Sequence, residues 1–370
     1  MNSIKLFLCG DVMTGRGIDQ ILPHPSDPTI HEGYLDSALG YVRLAEGASG
    51  PIPRAVADSY IWGDALGELE RVRPKCRVIN LETAVTRSED WAPKGINYRM
   101  SPANIGCLTA AAIDCCALAN NHVLDWGAGG LVETLDTLEA AGLRTAGAGK
   151  DPLAAEAPAI IPVTGAGRVL VFSVGVESSG VPRKWAATAD GPGVAFLPDL
   201  SQGSVEALTD RILRARRPGD VVILSIHWGA NWSYEITPED TGFARALIDA
   251  AAVDVIHGHS SHHPKAVEVY RDRLILYGCG DFINDYEGIT GHEEFRGELG
   301  LMYFPTLQAG DGRLLRLELV ATRMKCFRAR RAAGPDTRWL CATLDREGLG
   351  FGTRTRLLTD GRIELNWKRQ

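Results

Sequence analysis

Positive charge is in short supply in this sequence. Its 39 Lys and Arg stand against 46 Asp and Glu, a formal net charge of −7, which is the wrong sign overall for a general nucleic-acid binder. The one basic cluster, Arg323, Lys325, Arg328, Arg330 and Arg331, reads as a solvated surface. Long hydrophobic runs are also missing: every apolar stretch falls well short of a bilayer span, so no integral membrane segment is expected. The first residues, "MNSIKLFLCGDVM", hold one Lys and a short apolar run that passes straight into Gly-Asp without a small-residue cleavage site. That stretch reads as a core strand and not as a leader. No low-complexity tract or fixed-period repeat occurs. A disulfide framework is absent as well. Of the eight cysteines, Cys9, Cys115, Cys116 and Cys279 lie in apolar strand-like runs, the setting of reduced core thiols, and a cytoplasmic location is the expectation.

What is present is a globular chain. Apolar residues make up 45% and charged residues 23%, near the averages of soluble domains, which argues against disorder and coiled coil. Short apolar runs with a polar C-terminal end recur: "IKLFLCGD", "CRVINLET", "DCCALANNH", "RVLVFSVG", "DVVILSIHWG", "VDVIHGH" and "RLILYGCGDF". Each has the length of a buried strand. Between them, Gly129 to Gly142, Ser204 to Gly219 and Glu239 to Asp254 show apolar positions three and four apart, the helical period. Alternation of this kind predicts a layered α/β fold. The stretch from Gln20 to Pro53 has no sustained periodicity and predicts a long loop or lid. From residue 301 to 370 the pattern turns to hairpin-like runs, expected to complete the sheets of the residue 1–300 core with antiparallel strands.

Histidine is scarce, nine in all, yet four fall in "IHGHSSHHP", Ile256 to Pro264. Imidazole, carboxylate and amide groups suit manganese, iron or zinc. Asp11, Asn80 and Glu82, Asn120 to His122, His227, and His257 to His263 all stand at the ends of strand-like runs, where α/β sheets place their sites. One strand-end histidine carries little weight; five separate ends offering the same chemistry predict a divalent-metal site. The glycines of "GAGG" and "GDGR" lack a phosphate- or dinucleotide-loop context, so no organic cofactor is expected. Cys115 and Cys116 alternate faces, which disfavours a paired redox role, and Ser225 has no nucleophile-elbow context.

The motifs "CGDVM", "NLET", "ALANNHVLDWG", "SIHWG", "IHGHSSHHP" and "YGCGDFIND", in that order, resemble those of the CapA-like, poly-γ-glutamate synthesis family, a branch of the calcineurin-like metallophosphatase superfamily. The resemblance implies a four-layer α-β-β-α sandwich with mixed sheets. It implies Asp11, Glu82, Asn121, His227, His259 and His262 as ligands of one or two divalent ions, and His122 as general acid or charge stabiliser. The chain departs from the phosphatase pattern in lacking an Asp-x-His pair ahead of its Gly-Asp, and in spacing its last histidine pair by two residues.

Two further stretches are expected near substrate. "GANWSYEITPED" carries Trp232, Tyr234 and Glu235, a loop suited to a peptide or ring-bearing ligand unless its rings cover a helix end. "NDYEGITGHEEFRGE" carries His292 and Arg296, which could supply acid-base and carboxylate-binding groups unless the segment is an exposed charged turn. The leading functional expectation is a metal-dependent hydrolase or transferase acting on a γ-glutamyl or other peptide-like substrate. An alternative is a cofactor-independent epimerase that inverts a Cα in a ribosomally made peptide such as a lasso-peptide precursor. Asp11, His122 and His292 would then be its acid-base groups, with Trp232 and Arg296 as the peptide clamp. A third is a non-catalytic scaffold of a polymer-synthesis complex.

Overall fold

The strand Ser3–Val12 shows how the sequence builds the layers. Its side chains split by parity: Ile4, Leu6 and Leu8 enter one core, Phe7 and Cys9 another, as the two-residue period of a strand requires. Buried on both faces, it reads in sequence as a continuous apolar run. The computed structural model describes residues 2–368.

The first sheet is mixed. From Ser3–Val12 it continues in parallel through Cys76–Leu81, Cys115–Ala117 and Arg144–Ala146. On the other side, Leu299–Gln308, Leu314–Met324, Ile363–Trp367 and Thr353–Leu357 follow in antiparallel order. The C-terminal strands thus complete the same sheet as the N-terminal one, and the boundary expected at 300 falls inside the strand Leu299–Gln308. The second sheet has a parallel centre, Gly167–Val176, Val221–His227, Val255–His259 and Arg273–Leu276, with antiparallel partners Ala159–Val163 and Val267–Tyr270 at its margins.

Three cores separate the layers. Leu6, Val78, Cys115, Val171, Ile223 and Val255 meet between the sheets. Phe7, Ile79 and Cys116 face outward onto Leu131 and Leu138 of the helix Gly127–Ala140. On the far side, Phe172, Leu224 and Ile256 meet Leu208 and Ile212 of the helix Gln202–Ala215 and Phe243 and Leu247 of the helix Pro238–Asp249. Helix, sheet, sheet, helix is the four-layer α/β sandwich expected above. The helix Pro238–Asp249 starts on a capping box between Thr237 and Asp240, which satisfies otherwise unpaired amides at its first turn.

Two segments differ from the sequence reading. Residues 20–53 are not all loop: Leu39–Ser49 is a helix, hidden in the pattern by Gly40 and Gly47, both poor helix formers. The tail is not all strand: Gly334–Glu347 is a helix whose Leu340 and Leu344 join the core between the sheets. All eight cysteines are free, and no helix among the described residues is long and apolar enough to cross a membrane.

Candidate metal centre

The polar strand ends converge where the C-terminal edges of the two sheets meet. Gly10 makes the first contact possible: a Cβ there would lie 1.5 Å from the carbonyl oxygen of Gly280, so only glycine admits this approach. The register then sets Asp11 directly beside Asp281. Asn80 Nδ2 donates to Asp11 Oδ1 at 2.8 Å and to Glu82 Oε2 at 2.9 Å. Asn120 Nδ2 donates in turn to Asn80 Oδ1 at 3.0 Å, and its Oδ1 accepts from the amides of His122 and Val123. Asn80 and Asn120 are therefore scaffolding, orienting carboxylates and the histidine loop. Burial, then the neighbouring Asp281, pushes Asp11 up to about 7. Burial and the Asp11 charge likewise hold Glu82 well above the usual carboxylate range, as expected for clustered acids away from water.

From the second sheet, parallel register places His227 opposite His259, with their Nδ1 atoms 2.7 Å apart. Asp11, His227 and His259 each offer an atom within 4.8 Å of the others, and Asp11, His262 and Asp281 form a second buried triad on the same terms. Asp11 is common to both. Burial keeps His227 and His259 well below the ordinary histidine range, each also opposed by neighbouring histidines. His262 differs. Burial works against its charged form, but Asp281, 2.9 Å from its Nδ1, raises it above the ordinary value, and Asn284 Nδ2 holds the other Asp281 oxygen at 2.9 Å. The "HSSH" turn is bent at Ser260, whose φ of 96° is rare for a residue with a side chain and costs of order 1–3 kcal/mol. The bend aims its amide at Asp11 Oδ2, 3.3 Å away. Two neutral imidazoles converging with a shared carboxylate are a donor set that suits a borderline divalent cation, so these Asp and His residues are positioned to hold a metal.

His122 stands at the edge of this cluster. Its Nδ1 is 2.6 Å from Asp125 Oδ2, and Lys94 Nζ holds the other Asp125 oxygen at 2.7 Å. Its Nε2 faces Glu82 Oε1 at 4.0 Å. Burial drives His122 down to about 4, against the pull of Asp125. The ring is thus a neutral imidazole with Nδ1–H on Asp125 and an available Nε2.

The expected ligands are brought together to different degrees. Asp11, His227, His259 and His262 share the two triads. Glu82 sits next to them, tied to Asn80, and Asn121 Oδ1 is 3.2 Å from His227 Nε2. Next to the cluster opens a cavity of about 210 Å³ lined by Trp232, Asn284, Tyr286, Ile289, His292 and Glu298, among others. Trp232 bridges the two, its ring 5.0 Å from His262 and stacked 4.3 Å from the exposed His292. Tyr234 instead packs under the loop against His263 and Phe295, and Glu235 is exposed, contributing only its carbonyl to Lys265. Arg296 corrects its expected role as a carboxylate clamp: its guanidinium is already bound by Glu298 at 2.7 Å and Asp336 at 2.8 Å.

Sequence reasoning missed Asp281, Asp125 and Lys94. Asp281 lies inside "YGCGDFIND", and Asp125 follows His122 by three residues. Both were signals that strand-end pattern alone did not single out.

The chain is similar to several known proteins. The family model described as bacterial capsule synthesis protein PGA_cap matches residues 5–286. A "Probable polyglutamine synthesis accessory protein" of Mycobacterium tuberculosis is 47% identical over 364 residues, 98% of this chain and 96% of that protein. The "PGA biosynthesis protein CapA" of Bacillus subtilis is 28% identical over 279 residues, covering 75% of this chain and 62% of that protein. Among solved structures, the calcineurin-like phosphoesterase YfkN of Bacillus subtilis aligns with a TM-score of 0.45 at 13% identity, over 94% of this chain and 97% of that one. On the extent of the family match and the near full-length relative, the chain belongs to the bacterial capsule synthesis, CapA-like family.

Proposed function

We propose that this protein is a divalent-metal-assisted hydrolase or transferase acting on γ-glutamyl or other peptide-like bonds in the metabolism of a cell-envelope polymer. The observation that carries the reading is the pair of buried triads sharing Asp11, with two imidazole nitrogens facing each other at 2.7 Å. The names of the relatives from Mycobacterium tuberculosis and Bacillus subtilis support the polymer context. A bound cation would polarise the carbonyl of the scissile bond. Asp11, His227 and His259 would hold it, with Asp11, His262 and Asp281 as the place for a second ion; His122, kept neutral and oriented by Asp125, takes a proton at Nε2 from the attacking nucleophile and returns it to the leaving amine. The cavity beside Trp232 receives the flanking part of the substrate. The test is release of glutamate from γ-glutamyl oligopeptides by protein stripped with chelator and reloaded with Mn²⁺. Activity lost on stripping and restored on reloading supports the proposal; activity indifferent to both overturns it.

The names of the relatives lend the epimerase alternative no support. Asp11 is fully buried and is not among the residues that line the cavity holding His292, so the geometry does not set these two groups across one space.

A further inference from the structure

Ser225 and His257 play no part in the mechanism above, yet both are fully buried beside it. Parallel register sets Ser225 opposite His257 just as it sets His227 opposite His259, and side chains two apart in a strand share a face. The four therefore form a square on one face of the second sheet. The two hydrogen bonds of its serine have only one consistent direction.

His257 Nε2 lies 2.7 Å from the carbonyl oxygen of Cys9, on the first sheet. A carbonyl only accepts, so Nε2 carries the proton. His257 is fully buried and hydrogen-bonds to no carboxylate that could balance a second proton, so its one proton is on Nε2 and Nδ1 is left as an acceptor. Ser225 Oγ is 3.1 Å from that Nδ1, and its single hydroxyl proton is committed there. Its second contact, His259 Nε2 at 2.8 Å, must then be accepted by the serine and donated by the histidine. With its proton on Nε2, a neutral His259, a member of the triad with Asp11, presents a bare Nδ1, the atom that faces His227 Nδ1.

We infer that Ser225 and His257 are positioning residues that lock His259 in the Nε2–H tautomer, so that its Nδ1 is a ready donor to a divalent cation. The backbone carbonyl of Cys9 is the fixed end of this relay, and it ties the donor atom of the second sheet to the first strand of the other. His227 completes the logic from the opposite side. Asn121 Oδ1 can only accept, and it lies 3.2 Å from His227 Nε2, so that nitrogen carries the proton and His227 Nδ1 is bare as well. The two unprotonated Nδ1 atoms then face each other at 2.7 Å, an arrangement that a shared cation would satisfy.

The consequence for metal affinity rests on the metal reading proposed above, whereas the tautomer itself does not. The test uses protein with ¹⁵N-labelled histidine, recording imidazole nitrogen resonances of the metal-free form, alongside calorimetric titration with Mn²⁺. Expected are a His259 spectrum of the Nε2–H form in the wild type and in Ser225→Thr, which keeps the hydroxyl. Ser225→Ala should shift His259 toward the other tautomer and weaken Mn²⁺ binding by about 10- to 100-fold, the usual effect of losing an outer-shell partner. A His259 with its proton on Nδ1 in the metal-free wild type overturns the inference even if Ser225→Ala fails to fold. So does a Ser225→Ala protein with wild-type spectrum and affinity. If the wild type ignores Mn²⁺ but shows the Nε2–H spectrum, the metal reading falls and the relay stands.

Discussion

Replacing Arg16 with Met should destabilise the protein far more than its position on a short helix would suggest. The guanidinium is almost fully buried and bound on three sides: Asp285 by Nη2 at 2.5 Å and Nε at 3.1 Å, Glu32 at 3.1 Å, and Tyr41 Oη at 2.7 Å. It also lies 3.7 Å over the Tyr41 ring and 4.5 Å over Tyr98. Methionine fills part of the volume but leaves Asp285 and Glu32 as buried carboxylates with no cation. Removing one partner of such a network costs roughly 3–5 kcal/mol. At an unfolding entropy of about 2.1 cal/mol/K per residue, or about 0.8 kcal/mol/K for a chain of this length, Tm should fall by roughly 4–6 °C. Arg87 is the control. Its pair with Glu133 is 68% exposed on the arginine side, so Arg87→Met should cost about 1 kcal/mol or less and move Tm by about 1 °C. Differential scanning calorimetry of the two variants decides the matter. Equal shifts would refute the claim that Arg16 fastens the segment containing Glu32 and Tyr41 to the strand-end motif containing Asp285.

Three further outcomes follow from the site. His122→Gln should lower turnover of a γ-glutamyl substrate by about 10²- to 10⁴-fold while leaving Mn²⁺ affinity unchanged; unchanged turnover would exclude His122 as the proton carrier. Asp11 is raised to about 7 in the folded state, above its unfolded value, so it lowers stability progressively as pH rises from the ordinary carboxylate range through 7. A cation binds the deprotonated form, so the Tm gain on adding Mn²⁺ should be larger at about pH 8 than at about pH 5.5, and a pH-independent gain would count against Asp11 as a ligand. Trp232→Ala removes one wall of the cavity and the stacking partner of His292; KM should rise about tenfold with a smaller change in kcat, whereas an unchanged KM would move substrate binding elsewhere.

The layers were legible because doubly buried strands read as apolar runs, and the site was legible because most of those runs ended in a residue that it uses. Asp11, His227, His259 and His262 stand at strand ends by sequence pattern alone, and the fold brings those ends together. Asp281 was not singled out. Its place beside Asp11 depends on the Gly10–Gly280 contact, a close approach between residues distant in sequence that no local pattern records. Arg296 was misread for the same reason, since one of its partners, Asp336, lies forty residues on in a helix the tail pattern did not reveal. That helix is mostly polar, and only Leu340 and Leu344 enter the core. Ser225 and His257 were visible as residues but not as a relay, because hydrogen-bond direction follows from which partner is a carbonyl.

The most direct test of the metal centre is an anomalous difference map from crystals of the protein soaked in Mn²⁺. The account predicts a peak among Asp11 and the Nδ1 atoms of His227 and His259, with any second peak among Asp11, His262 and Asp281. A well-ordered map with no peak at either triad, or with manganese held only by surface carboxylates, would contradict it.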